Sequence, residues 1–210
     1  MTIPNLEIEP AVAGSIFGSR LDLARAFTDD LARRGEELGL IGPLELPRLW
    51  SRHVLNSALV APLLRPGRVG DIGSGAGLPG LVLAIARPDV TMILIEPMER
   101  RVDWLRHESN ELGLDNVEVV RARAEDAKLS PWLDQATARA VSALSKLIPL
   151  TVPLVRSGGE LLFMKGANVS AEVESAAKVI RKARLTDIEI LTLGAGVVPE
   201  VTRVFRATVD

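Results

Sequence analysis

The 210-residue sequence contains no cysteine and no tyrosine. The first absence removes disulfides, thiolate metal sites and cysteine nucleophiles in one step. The second removes the phenol of a Tyr-x-x-x-Lys proton relay. With only four phenylalanines and three tryptophans, a platform stacking successive single-stranded bases is excluded as well. Neither sign of charge dominates: 25 Lys and Arg stand against 27 Asp and Glu, for a net charge of −2. Bulk attraction to nucleic acid is therefore weak, and any RNA site must be a focused basic patch. No apolar run approaches the roughly 18 residues of a membrane-spanning helix. The start, Met1–Pro10, lacks a basic stretch followed by an apolar one, so a cytoplasmic chain without a secretory signal is expected. No metal and no membrane partner are expected.

What is present starts with 47% hydrophobic residues, enough for one domain of ordinary size plus an extension. The stretch Asp71-Ile-Gly-Ser-Gly-Ala-Gly-Leu-Pro-Gly80 organises the rest. It sets four glycines and an acid between an apolar run and a helical pattern, which reads as a strand, a tight turn and a helix start. Gly73, Gly75 and Gly77 can take positive φ and place no Cβ in the way, so backbone N–H groups can approach a ligand. Glu96 ends the next apolar run, Met92-Ile-Leu-Ile-Glu96, where a doubly wound sheet sets an acid against ribose hydroxyls. An adenosine ligand follows. Taken alone, Gly75-Ala-Gly-Leu-Pro-Gly80 also fits a dinucleotide fingerprint, which keeps an NAD(P)-dependent oxidoreductase open. A merely structural turn needs one or two glycines rather than four. The pattern Asp71-x-Gly73-x-Gly75-x-Gly77 followed by Glu96 is similar to motifs I and II of the Rossmann-like S-adenosylmethionine methyltransferases, in which the acid before the glycines steers the cofactor's amino-acid end.

Residues 1–66 carry apolar side chains at helical spacing and predict an N-terminal helical cap, with one or two helices between Pro10 and Gly39 and another from Leu46 to about Leu64. Residues 67–210 alternate short apolar runs with helical stretches, the pattern of an α/β, mostly parallel sheet. Strands are expected at Val69–Ile72, Met92–Glu96, Val117–Arg121, Ala136–Val141 and Glu160–Lys165. Helices are expected at Pro79–Ala86, Glu99–Leu112, Leu144–Val155 and Ser170–Ala183, with an irregular segment around Ser130–Trp132. Two closing runs, Thr186–Leu193 and Thr202–Thr208, have no helical period between them and predict an antiparallel hairpin at the sheet edge. A dinucleotide-binding domain more often continues with another crossover helix.

Ligands of such sheets bind beyond the carboxyl ends of the strands. After the third strand, Ala124 and Glu125 can meet an adenine, although Glu125 serves equally as a helix cap or solvated loop acid. Arg139, inside an otherwise apolar run, is either aimed at the pocket or a paired buried charge. Lys165 ends its strand over the crevice, or snorkels to the surface. Arg52 and His53 lie on the helical cap, where composition alone makes His53 a satisfied helix-face side chain. Trp50 and Trp104, at helical spacing with leucines, are expected in the core.

Assembled, these residues resemble the RsmG (GidB) family of bacterial 16S rRNA guanine-N7 methyltransferases over nearly the whole chain. The resemblance rests on Arg52-His53-x-x-Asn56-Ser57, the Asp71–Gly80 stretch, Arg139-Ala140 and Lys165-Gly166, in that order. Asn56 stands where the family often has aspartate, and Val141 where it has an aromatic residue. The resemblance implies S-adenosylmethionine bound through Gly73, Leu78, Ala124, Glu125 and Arg139, with Asp71, Gly75 and Glu96 supported by the general fold. It implies as substrate a guanine in the decoding-region loop of 16S rRNA, within the small ribosomal subunit or a precursor of it, faced by Arg52, His53, Arg139 and Lys165. A link between lost activity and low-level streptomycin resistance also follows from it.

Guanine N7 has a free lone pair, so its methylation needs neither a general base nor a covalent intermediate. Carbon-5 pyrimidine methylation would need the missing thiolate. Arg139 and Lys165 are therefore expected to position phosphate or the guanine O6 edge while the glycine loop holds the methyl donor about 3 Å from N7. A non-catalytic ribosome-binding module would keep the cations but gain nothing from a cofactor pocket. A monomer is expected, since the alternating pattern leaves no extra apolar face.

Overall fold

The computed structural model describes residues 3–210. Seven strands form one sheet: β1 Gly67–Ile72, β2 Val90–Ile95, β3 Val117–Val120, β4 Leu133–Arg139, β5 Val155–Lys165, β6 Leu185–Leu193 and β7 Thr202–Val209. Their order is β3-β2-β1-β4-β5-β7-β6. The first five are mutually parallel, and β7 runs antiparallel between β5 and β6. The order reverses between β1 and β4, which opens a crevice at their carboxyl ends. The expected closing hairpin is present.

Period-two alternation sends neighbouring side chains to opposite faces. Met92 and Leu94 of β2, Leu162 and Met164 of β5, and Val204 of β7 pack on one face. Ile93, Ile95, Leu161, Phe163 and Phe205 pack on the other. The first face is covered by α1 Ala13–Phe17, α2 Leu21–Arg34, α3 Asn56–Ala58, α4 Gly80–Ala86 and α5 Glu99–Glu111; the second by α6 Leu144–Thr151, α7 Val169–Ser175 and α8 Ala177–Lys182. The N-terminal residues Phe17, Phe27, Leu31, Leu49 and Leu55 belong to the same apolar cluster as Leu81, Met92 and Leu94. They form a layer on the sheet's flank. Trp50 and Trp104 are buried within it. No helix among the described residues is long and apolar enough to cross a membrane.

Several boundaries differ from the sequence expectation. The helix expected from Leu46 to Leu64 is instead a series of short pieces: a 3-10 segment Pro43–Arg48, a π-helical segment Leu49–Leu55, α3, and a 3-10 turn Ala61–Leu63. Pro47 and Pro62 remove backbone donors there. Strand β4 starts three residues before the expected Ala136 and stops at Arg139, because Ala140 turns the chain with φ 54°. Strand β5 begins at Val155 rather than Glu160; Leu133 pairs Val155 while Gln135 pairs Glu160, so extra residues around Gly158 (φ 73°) bulge out. The expected helix Ser170–Ala183 is divided at Ala176 into α7 and α8.

Candidate functional site

The crevice is built from a glycine corner, three strand ends and one segment of the N-terminal layer. At the corner, Gly73, Gly75 and Gly77 take φ values of 69°, 55° and 88°, which favour residues without a Cβ. Gly73 N–H and Ser74 N–H both donate to Ile95 O, at 2.8 and 3.2 Å, tying the turn to β2. A Cβ on Gly75 would meet nothing nearer than Gly73 O at 3.8 Å, so this position faces open space. Gly73, Gly75 and Leu78 are partly exposed, whereas Ser74, Ala76 and Gly77 between them are buried.

The two acids behave differently. Asp71 is wholly buried; its Oδ2 accepts Gly80 N–H at 3.0 Å and its Oδ1 accepts the Thr137 hydroxyl at 3.3 Å. It pins the start of α4 to β1 from behind the glycine turn. Burial pushes its pKa up to about 6 against the lowering effect of these hydrogen bonds. Glu96, also buried, accepts Gly75 N–H through Oε2 and Met98 N–H through Oε1, both at 3.0 Å. Each carboxylate oxygen accepts twice, so a second acceptor position remains on each. Such a pair beside the open Gly75 fits the vicinal hydroxyls of a ribose.

Past β3, Ala124–Asp126 forms one 3-10 turn, with Ala124 buried and Glu125 exposed. The turn is capped by Arg123 without a side-chain hydrogen bond; Glu125 is therefore not the helix cap.

Arg139, the last residue of β4, reaches into the N-terminal layer. Its Nη1 donates to His53 O and Ser57 Oγ, both at 3.3 Å, and its Nη2 contacts His53 Nδ1. Burial lowers its pKa to about 10, so it stays protonated at neutral pH. On the opposite edge of the ring, His53 Nε2 lies 2.5 Å from Glu45 Oε2. Burial, and then the Arg139 charge, lower the imidazole pKa. Glu45 is drawn upward by burial, but hydrogen bonds from Arg48 and His53 prevail and hold it below the usual glutamate value. Arg52 Nη1 pairs with Glu200 at 2.9 Å, linking the π-helical segment to the loop between β6 and β7. Lys165 is largely buried rather than snorkelling: its Nζ donates to Ser142 O at 2.9 Å and pairs with Glu172 Oε1 at 2.6 Å.

A cleft of about 770 Å³ lies over the ends of β4, β5 and β7, with Arg52, Asn56, Arg139, Lys165, Glu172 and Arg203 among its lining residues. Val141, two residues past Arg139, packs over Gly73, where a Cβ would come within 3.0 Å of its Cγ2. The glycine corner and the cleft are thus adjacent. Arg52, Arg139 and Lys165 come together in the cleft. Gly73, Gly75, Leu78 and Glu96 come together at the corner. Asp71 stands behind the turn, and Glu125 is exposed in the 3-10 turn after β3. Sequence reasoning missed Glu45, Glu172 and Arg203. For Arg203, the signal was available as one cation in the apolar run Thr202-Arg-Val-Phe205. Glu45, between Leu44 and Leu46, and Glu172, two residues before Glu174, carried none.

The strand order, the glycine turn and the paired strand-end acids define the fold of S-adenosylmethionine-dependent methyltransferases. Solved structures agree: a SAM-dependent methyltransferase from Aquifex aeolicus superposes with a TM-score of 0.58 at 18% identity, covering 82% of this chain and 98% of that one. The N-methyltransferase NodS from Bradyrhizobium japonicum, solved with S-adenosyl-L-homocysteine, gives 0.58 at 15% identity over 88% and 98%. The GidB family, described as rRNA small subunit methyltransferase G, matches residues 20–199, and the chain belongs to it. Relatives named ribosomal RNA small subunit methyltransferase G share 68% identity in Leifsonia xyli over 98% of both chains. In Clavibacter michiganensis the figure is 70%, over 97% of both.

Proposed function

We propose that this chain transfers the methyl group of S-adenosylmethionine to N7 of one guanine in the decoding-region loop of 16S rRNA. The observation that carries the reading is the family match over residues 20–199, on a structure whose glycine corner opens beside a cleft lined by Arg52, Arg139, Lys165 and Arg203. Bound at the corner, S-adenosylmethionine supplies an electrophilic methyl on a sulfonium. Glu96 would hold the ribose, Gly73, Gly75 and Leu78 would line the cofactor, and Ala124 and Glu125 would meet the adenine. Asp71 contributes from behind by fixing the turn.

N7 attacks with a lone pair and releases no proton, and the cleft is furnished accordingly. Its carboxylates Glu200 and Glu172 are paired with Arg52 and Lys165. Both ring nitrogens of His53 are occupied, by Glu45 and Arg139. None of these groups is free to act as a general base. Catalysis then rests on holding the acceptor in a near-attack position. Arg139 and Lys165 serve this by holding phosphate or the O6 edge, with Arg52 at the RNA-facing mouth and His53 behind Arg139. The net charge of −2 favours a structured particle over naked RNA, since shape must supplement weak bulk attraction. The protein acts in the cytoplasm as a monomer, and its loss confers low-level streptomycin resistance.

The test is transfer of labelled methyl to small ribosomal subunits from cells lacking the protein, with naked rRNA alongside, followed by mapping of the N7 mark. Incorporation at one decoding-region guanine is expected. Binding of S-adenosylmethionine without incorporation would redirect the substrate, and no binding would remove the methyl donor.

A further inference from the structure

We infer that Glu45 is a positioning residue of the cleft, selecting the His53 tautomer that holds the Arg139 guanidinium. This deepens the site reading above and rests on it. Glu45 lies within a 3-10 segment, Pro43–Arg48, that lines no part of the cleft, yet its carboxylate sits 2.5 Å from His53 Nε2. On the other side of the ring, Nδ1 meets Arg139 Nη2. A guanidinium offers only donors, so Nδ1 must present its lone pair. The ring proton then belongs on Nε2, where Glu45 accepts it. The opposite tautomer would set N–H against N–H at Arg139 and leave Glu45 facing a lone pair. A carboxylate fixing a histidine through one nitrogen so that the other can act is a recurrent arrangement.

The consequence lies in which Arg139 donors stay free. Of five N–H groups on a guanidinium, two from Nη1 go to His53 O and Ser57 Oγ, and one from Nη2 goes to His53 Nδ1. The Nε–H and one Nη2–H have no protein acceptor among the described residues. Arg139 lines the cleft, so these two donors are what it offers to a planar anionic or carbonyl group there. Glu45 is kept ionised for its task by Arg48, at 2.7 Å, with Arg52 Nε 3.8 Å away. Acidity at Glu45 thus reaches the cleft through two side chains, without touching a ligand itself.

The test uses the full-length protein with three variants, Glu45→Ala, Glu45→Gln and Arg33→Ala. Two readouts are taken: methyl transfer to small subunits, and ¹⁵N shifts of the His53 ring. His107 is the only other histidine, and His53→Gln assigns the signals. The unaltered protein should show an unprotonated Nδ1 and a protonated Nε2. Glu45→Ala should mix the tautomers and lower kcat by about 10- to 100-fold, the usual cost of losing such an orienting partner. Glu45→Gln keeps an acceptor for Nε2–H and should recover most of that loss. Arg33→Ala breaks an exposed ion pair with Asp29 on α2 and should move neither readout. Protonated Nδ1 in the unaltered protein, or Glu45→Ala within twofold in kcat with the tautomer unchanged, overturns the inference. Failure of the unaltered protein to methylate subunits overturns the substrate reading instead, and the ring shifts still decide the role of Glu45.

Discussion

The N-terminal layer meets the methyltransferase core at two charged seams, and they are built on opposite principles. At the cleft, Glu45 sits among Arg48, Arg52 and His53, and every charge has a partner. On the other side of the layer, Asp30 of α2 meets Glu108 of α5 beside His107, their ligand atoms lying within 4.8 Å of one another. Arg34 pairs with Asp30 at 3.1 Å and lies over the Trp104 ring at 5.3 Å, while Glu108 Oε1 is buried without a hydrogen-bond partner. Burial and the neighbouring Asp30 push the Glu108 pKa up to about 8. An acid among cations stays ionised and can orient a histidine; an acid buried beside another acid keeps its proton. The first seam reaches the cleft through Arg52 and Arg139, and the second joins α2 to α5.

That contrast can be broken or sharpened by substitution. The largest effect is expected at Arg139, which anchors the first seam. Arg139→Ala should cost about 3 kcal/mol in kcat/KM for subunits, roughly a hundredfold. Arg139→Lys should not rescue it, because an ammonium cannot make the same three-way contact. Equal loss of stability and activity would instead make Arg139 a structural residue. Asp71→Ala comes next. It strands the buried Gly80 N–H and should cost about 2 kcal/mol in denaturant unfolding, whereas Asp71→Asn, which retains an acceptor, should cost less than about 1 kcal/mol.

The second seam should register as a pH effect on stability. Glu108 is raised from 4.5 to about 8 in the folded protein, so the folded state holds the extra proton. Its stabilising contribution is complete below pH 4.5 and is lost as pH rises through 8. Asp71, raised from 3.8 to about 6, has the same sign and a lower window. The melting temperature should therefore fall between pH 5 and 9, and Glu108→Gln should flatten the upper part, gaining about 1 kcal/mol at pH 8.5. A slope unchanged in that variant would show that Glu108 is ionised and paired. Smallest of all, Arg34→Ala should cost under about 1 kcal/mol, the sum expected of a half-exposed ion pair and a cation on an indole face.

The legible parts of this protein were those with local causes. The glycine turn was readable because backbone at positive φ needs glycine, and the parallel strands because buried runs flanked by helical periods have few other uses. The closing hairpin was readable from two apolar runs with no helical period between them, whereas the strand order came only with the structure. Less legible was the segment from Pro43 to Leu63. Its apolar spacing is helical, yet Pro47 and Pro62 divide it into 3-10, π-helical and short α pieces. Trp50 and Trp104 were readable as core, since leucines accompany them at helical spacing. Glu45 could not be read: its partner His53 meets Arg139, which lies 86 residues beyond that histidine.

By itself, then, the amino-acid order determined the turn at Gly73–Gly77, the alternation of the strands and the acids that end them, because these follow from steric limits and burial within a few residues of chain. Tertiary structure alone decided which way Asp71 and Glu96 face and that Lys165 is held by Glu172. It also brought Glu45, His53 and Arg139 into line, because the protonation and aim of a side chain depend on whatever the fold sets against it.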